Sequence, residues 1–268
     1  MKSPSQANLS STFGSSLALV TLTFIGLASA SVTAHAQLLV SEDFDGSGSD
    51  FLDGKTTTTG GLTWQVVLQQ TGYPQGTLFR QDGTVLESTD SINVAFLPYT
   101  FEVDKVYDLR ATITSPGTNW ISLGFSTSDN INHSSAADGG YPWVLARTHA
   151  SNDDVVFWNG PGTAGDTVGT DSDTDGTYDV SIQLDLTGTI AQASYFLNGI
   201  QLGSTQDLGI TSTALVGDLP GFGFTRFSGS GGNGSIENMS LSVVPEPSNL
   251  ALLAGAFGLL AALRRRRT

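Results

Sequence analysis

Between Gln37 and Val244 apolar and polar residues alternate, and no stretch of twelve or more residues keeps a 3.6-residue period. Tyr107, Leu109, Ala111 and Ile113 alternate with Asp108, Arg110 and Thr112. Ile121, Leu123 and Phe125 do so with Ser122 and Gly124, and Tyr178, Val180, Ile182, Leu184 and Leu186 with Asp179, Ser181, Gln183 and Asp185. Each pattern predicts a strand with one face in the core and one in water. Further strands are predicted over Leu62–Leu68, Ile92–Leu97, Thr100–Val103, Asp154–Trp158, Ile190–Leu197, Gly221–Phe227 and Met239–Val243. Asn198-Gly199, ahead of Ile200–Gly203, is the strongest hairpin signal, because a type I′ turn needs positive φ at both central residues. Thr187-Gly188 closes the preceding hairpin. Ten to thirteen short strands in these 208 residues, with no linker and no repeat, predict an all-β fold: a single antiparallel β-sandwich or jelly roll.

The two ends follow other rules. An apolar run from Leu17 to Ala28 comes after a polar stretch whose one basic residue is Lys2, and it leads to Ala34-His35-Ala36. Small residues flanking one free position suit a signal peptidase, so residues 1–36 read as a signal peptide, handed to the Sec translocon as a helix and cut before Gln37. Ala28-Ser29-Ala30 offers a second cleavage position. At the other end Val244-Pro245-Glu246-Pro247-Ser248 breaks the last strand, since proline lacks a donor and restricts its neighbour. The run from Leu250 to Leu263 then spans 14 residues, about 21 Å as a helix at roughly 1.5 Å per residue. That is short for a membrane span of about 20 residues, although arginine snorkelling and local thinning make up the difference for a transient anchor. Arg264, Arg265, Arg266 and Arg267 would stay cytoplasmic and leave the body outside the inner membrane.

A Pro-Glu-Pro, a short apolar helix and an arginine cluster in that order, at the extreme C-terminus, resemble the PEP-CTERM sorting signal of Gram-negative bacteria. The resemblance covers about the last 25 residues. It implies that Pro245, Glu246 and Pro247 are the motif recognised by an exosortase, and that Arg264 to Arg267 are the retention cluster. It further implies cutting near the motif, with release of the body to the cell surface or an exopolysaccharide matrix. Residues 245–268 are thus the sorting helix and 37–244 the body. The body's own sequence resembles the concanavalin A-like (LamG-type) jelly roll. The similarity lies in Gly176-Thr-Tyr-Asp-Val-Ser-Ile-Gln-Leu-Asp-Leu-Thr-Gly188, in Ala193-Ser-Tyr-Phe-Leu-Asn-Gly-Ile-Gln-Leu-Gly203, in the terminal strand Ile236–Val244 and in the opening Glu42-Asp43-Phe44-Asp45.

Charge narrows the partners. The chain carries a formal charge of −14, and the body alone holds six basic residues against 24 acidic ones, or −18. Such a surface excludes nucleic-acid binding, which needs clustered Lys and Arg. The chain has no cysteine, so disulfides, thiolate metal sites and cysteine nucleophiles are excluded as well.

Candidate chemistry is sparse. Asp171-Ser-Asp173-Thr-Asp175-Gly176-Thr-Tyr-Asp179 places oxygens at positions 1, 3, 5 and 9 with glycine at 6, the spacing of a calcium loop. Position 12 is Ile182, so the bidentate glutamate is missing, and the competing reading is a solvated Asp/Gly loop. Ca²⁺ is the one cofactor the sequence suggests. Tyr141, Trp143 and Trp158 read as rings near loop ends, where they could stack on a glycan; the competing reading packs all four tryptophans in the core. The glycosidase pattern Glu-x-Asp-x-x-Glu fails, since Glu102-Val-Asp104-Lys-Val-Tyr107 ends in tyrosine. His133 and His149 lie in no metal or triad motif. The expectation is a non-catalytic, exported, glycan-binding sandwich. Its rivals are a polysaccharide hydrolase or lyase using an unrecognised aspartate pair, and a purely structural or adhesive matrix protein.

Overall fold

The alternating stretches form two antiparallel sheets laid face to face. A computed structural model describes residues 36–68, 79–83, 85–88, 92–116, 120–126, 140–147, 154–159, 167–170, 175–227 and 235–245. The chain divides into two units, residues 1–33 and 34–268, and all described residues belong to the second. The expected signal and sorting helices therefore lie outside the described residues. Among the described residues no helix is long and apolar enough to cross a membrane.

The nine-stranded sheet holds β1 (Gln37–Glu42), β2 (Gly46–Phe51), β4 (Phe79–Gly83), β5 (Val85–Ser88), β7 (Val106–Pro116), β12 (Asp175–Asp185), β13 (Ile190–Leu197), β14 (Ile200–Thr211) and β16 (Ser235–Val244). Their order is β14-β13-β12-β7-β16-β5-β4-β2, with β1 also paired to β16. The seven-stranded sheet holds β3 (Gln65–Leu68), β6 (Ile92–Pro98), β8 (Trp120–Ser126), β9 (Gly140–Arg147), β10 (Asp154–Trp158), β11 (Thr167–Thr170) and β15 (Gly221–Phe227), in the order β11-β10-β9-β8-β15-β6-β3. A short helix of seven residues, α1 (Ser212–Asp218), follows β14 and is capped by Thr211, whose hydroxyl accepts from the Ala214 N–H.

The core sits between the sheets. Leu109, Ile113, Val180, Ile182 and Leu184 come from one side and Leu123, Phe125, Val144, Phe157, Phe222 and Phe224 from the other, all buried. This is the inward face that the alternation predicts.

Two expectations fail locally. Thr100–Val103 is a loop, tied down where Asp104 N–H donates to Leu186 O and Leu186 N–H to Lys105 O. Its alternation arises because Phe101 is drawn into the core against Tyr99 and Tyr107, at ring distances of 4.9 and 5.0 Å, without a ladder partner. Tyr141-Pro142-Trp143, read as near a loop end, lies inside β9.

Candidate functional site

Cross-strand pairing draws a row across the outer face of the seven-stranded sheet: Trp158, Trp143, Gly124, Gly223, Phe96. The next row is Val156, Leu145, Ser122, Thr225, Val94. Trp143 and Trp158 are direct partners, and their rings stack at 5.1 Å with 5° between planes. Glycines form the middle of the row because neighbours fill the space of a side chain. A Cβ on Gly124 would lie 2.4 Å from Trp143 Cβ, and one on Gly223 2.1 Å from Ala95 O.

The three predicted stacking residues part company here. Trp143 is 2% exposed, so its ring is not open to a sugar as expected; it packs against Leu145, Val156 and Trp158. The pairing register shifts between Gly124 and Ser126, and β9 carries an extra residue there. Tyr141 thereby turns to the core side, and its hydroxyl donates to Leu208 O at 2.6 Å. It borders a separate depression of about 570 Å³ beside Leu215 and Leu219. Trp158 stays partly exposed on the outer face, and its indole N–H is buried with no acceptor among the described residues. The contributions of Phe96, Gly124 and Gly223 went unread in the sequence, because they join the tryptophans only through strand register.

Asp171 and Asp173 lie outside the described residues. β12 starts at Asp175, and Gly176 sits in the ladder opposite Ser115, so the turn expected at this glycine is an extended strand. Four residues of strand set Asp179 about 13 Å beyond Asp175, too far for both to ligate one ion at about 2.4 Å. Asp179 is exposed instead and accepts from the Thr112 hydroxyl at 2.8 Å. Among the described residues no three His, Cys, Asp or Glu side chains cluster to hold a metal.

Of the processing residues, Ala36 is exposed, Gln37 opens β1 opposite Val243, and Pro245 directly follows β16. Ala34, Glu246, Pro247 and Arg264 to Arg267 lie outside the described residues.

One buried tyrosine braces the site from beneath. The Tyr195 hydroxyl is shared between Trp158 O at 2.9 Å and Asn159 Oδ1 at 2.7 Å, which anchors the end of β10. Burial raises its pKa above the ordinary tyrosine range and raises that of Tyr107 to about 12. Folded values above the unfolded one of 10.0 mean stability that is complete below pH 10 and lost as the pH climbs towards 12. Absorbance titration at alkaline pH should show these two phenols ionising only as the fold is lost. Full titration of every tyrosine near pH 10 in an intact fold would contradict this.

No protein-family model matches the sequence, and no curated protein matches it either. Solved structures do. The endo-1,3-β-glucanase of Streptomyces sioyaensis aligns with a TM-score of 0.50 at 12% identity, over 78% of this chain and 96% of that one. Winged bean acidic lectin, complexed with methyl-α-D-galactose, gives 0.42 at 11% over 78% and 99%. The Ca²⁺-bound exoplasmic/lumenal domain of VIP36 gives 0.45 at 13% over 78% and 91%. The described body thus has a two-sheet, antiparallel jelly-roll fold, as the endo-1,3-β-glucanase does.

Proposed function

We propose that the body is a non-catalytic saccharide-binding module, exported through the Sec route and released by an exosortase to the cell surface or an exopolysaccharide matrix. The observation that carries the binding reading is the Trp158 indole. A buried N–H without an acceptor costs about 1–3 kcal/mol, which a sugar hydroxyl would recover on displacing the atoms that cover it. The exposed part of the same ring offers an apolar surface for the C–H face of a sugar. Ser122, Gly124, Trp143, Leu145, Val156, Trp158, Gly223 and Thr225, the described paired positions of this outer face, include no carboxylate, and retaining or inverting hydrolysis needs two. A saccharide partner also accords with a fold shared with an endo-1,3-β-glucanase.

The tail and the signal peptide carry the export reading. The C-terminal helix would serve as a transient inner-membrane anchor until the chain is cut near Pro245-Glu246-Pro247. No cofactor is required; a Ca²⁺ ion held by Asp171, Asp173 and Asp175 would show itself as loss of binding in chelator.

The secreted product should begin at Gln37 and end near Pro245 by mass spectrometry. It should bind β-1,3-glucan oligosaccharides or the host exopolysaccharide without releasing reducing ends. Trp158→Phe, which keeps the stack and removes the N–H, should weaken binding about tenfold. Release of reducing ends, or a secreted chain that still carries Arg264 to Arg267, would overturn the corresponding part.

A further inference from the structure

The outer face of the nine-stranded sheet is polar, and it holds a groove of about 500 Å³, within the size range of small-molecule sites. Two local devices shape it. The first is a bulge in β16. Glu237 pairs with Thr112 but Ser240 with Arg110, so an extra residue is taken up at Asn238, whose φ is 53°. Asn238 and Ser240 both come to the outside while Ile236, Met239 and Leu241 stay buried. The second is the Asn198-Gly199 turn, with φ of 51° and 78°. Asn198 extends the β12–β13 ladder by one step: its N–H donates to Asp179 O at 2.7 Å, and its Oδ1 accepts from the Asp179 N–H at 3.0 Å.

These bonds fix the side chains and leave their other polar atoms free. Asn198 keeps both Nδ2 hydrogens, and Asp179 keeps Oδ2. The side chains of Asn238 and Ser240 make no hydrogen bond among the described residues. The Arg110 Nε is held by Asp108, a buried carboxylate that also accepts from the Ser181 hydroxyl at 2.8 Å, so the terminal guanidinium nitrogens remain free. Phe196 supplies the one aromatic ring facing outward from β7, β12, β13 and β16.

We infer that this groove binds a neutral saccharide. Free donors on Asn198 and Arg110 stand beside free acceptors on Asp179 and Asn238, and vicinal hydroxyls, which both donate and accept, satisfy the two kinds together. An anionic ligand would meet Asp179 and a body of charge −18, and a bare cation would meet Arg110. The inference takes its ligand class from the proposed function but not its site. The groove lies on the face of the sandwich opposite Trp158, so a body with both sites would link two glycan chains.

Isothermal titration calorimetry decides it, using the full chain in a non-glycosidic detergent. The probes are β-1,3-glucan, β-1,4-glucan, mannan and galactan oligosaccharides, with a uronic-acid oligosaccharide as the charged control. Two variants probe the groove. Asn238→Gly removes the amide and suits the positive φ, and Asn198→Asp keeps the acceptor to Asp179 and removes the free donors. A neutral oligosaccharide should bind, each groove variant should weaken a binding event about tenfold with melting unchanged, and the uronic-acid probe should not bind. Two sites in the parent chain, one lost in groove variants and one in Trp158→Phe, would support both readings. Binding lost only in the groove variants supports this inference and removes the Trp158 site. Binding lost only in Trp158→Phe overturns the inference and leaves the proposed function standing. Absence of binding to every neutral probe, or binding of the uronic-acid probe alone, overturns the inference.

Discussion

Gly223→Ala is expected to lower stability by about 3 kcal/mol or more, and Gly217→Ala to leave it unchanged or raise it slightly. At Gly223 the added methyl would sit 2.1 Å from Ala95 O and 3.1 Å from Phe96 Cα. Both obstacles are backbone, and β15 is hydrogen-bonded on both edges, to β6 and to β8, so neither can withdraw without breaking a ladder. Overpacking of this kind typically costs about 1–3 kcal/mol, and more where nothing can move. At Gly217, in α1, an added Cβ meets nothing within 4 Å. Alanine there gains helix propensity and restrains the unfolded chain. Urea unfolding followed by tryptophan fluorescence separates the two cases. Equal midpoints for the two variants would show that the close approach across β15 and β6 is not a constraint.

The same close approach explains why one sheet was easier to read from sequence than the other. The strands at Tyr107–Ile113 and Tyr178–Leu186 show a clean period of two because their outer faces, Thr112 and Asp179 among them, meet water. Asn198-Gly199 names its turn through positive φ. In the seven-stranded sheet Val94 to Leu97 and Trp143 to Ala146 are buried on both faces, so polarity stops alternating and periodicity carries less information. β9 was hidden further by Pro142, which reads as a turn residue. The candidate sites were less legible still. Trp143 and Trp158 are 15 positions apart and meet only through the β9–β10 register. The groove gathers outward residues from three separate strands, β7, β12 and β16, around one turn, and no local spacing marks them as one site.

Glu42→Ala should cost about 3 kcal/mol or more, because a buried carboxylate organises the start of the body. Glu42 is 4% exposed. Its Oε2 accepts from Trp64 Nε1 at 2.9 Å and its Oε1 from the Phe44 N–H at 2.9 Å. Phe44 is fully buried at a φ of 54°, an unfavourable backbone for a bulky residue, and the Glu42 bond holds it there. The Phe44 ring in turn packs on Trp64 at 6.0 Å and Phe224 at 6.1 Å, which joins the β1 end to the opposite sheet. Nearby, the Thr58 hydroxyl donates to Asp43 Oδ1 at 2.7 Å and holds that carboxyl below the usual aspartate range. Alanine at 42 strands two buried donors, and a loss of this size lowers Tm by roughly 6–12 °C in a domain of this length. Glu42→Gln makes a sharper test, since it keeps the shape but has one acceptor, so its amide N–H must face either Trp64 Nε1 or the Phe44 N–H. Gln should therefore fall between Glu and Ala, about 1–3 kcal/mol below the parent, with the Trp64 emission shifted to longer wavelength as water reaches the indole. A glutamine variant as stable as the parent would mean that the shape of the residue, and not its two acceptors, secures this corner of the sandwich.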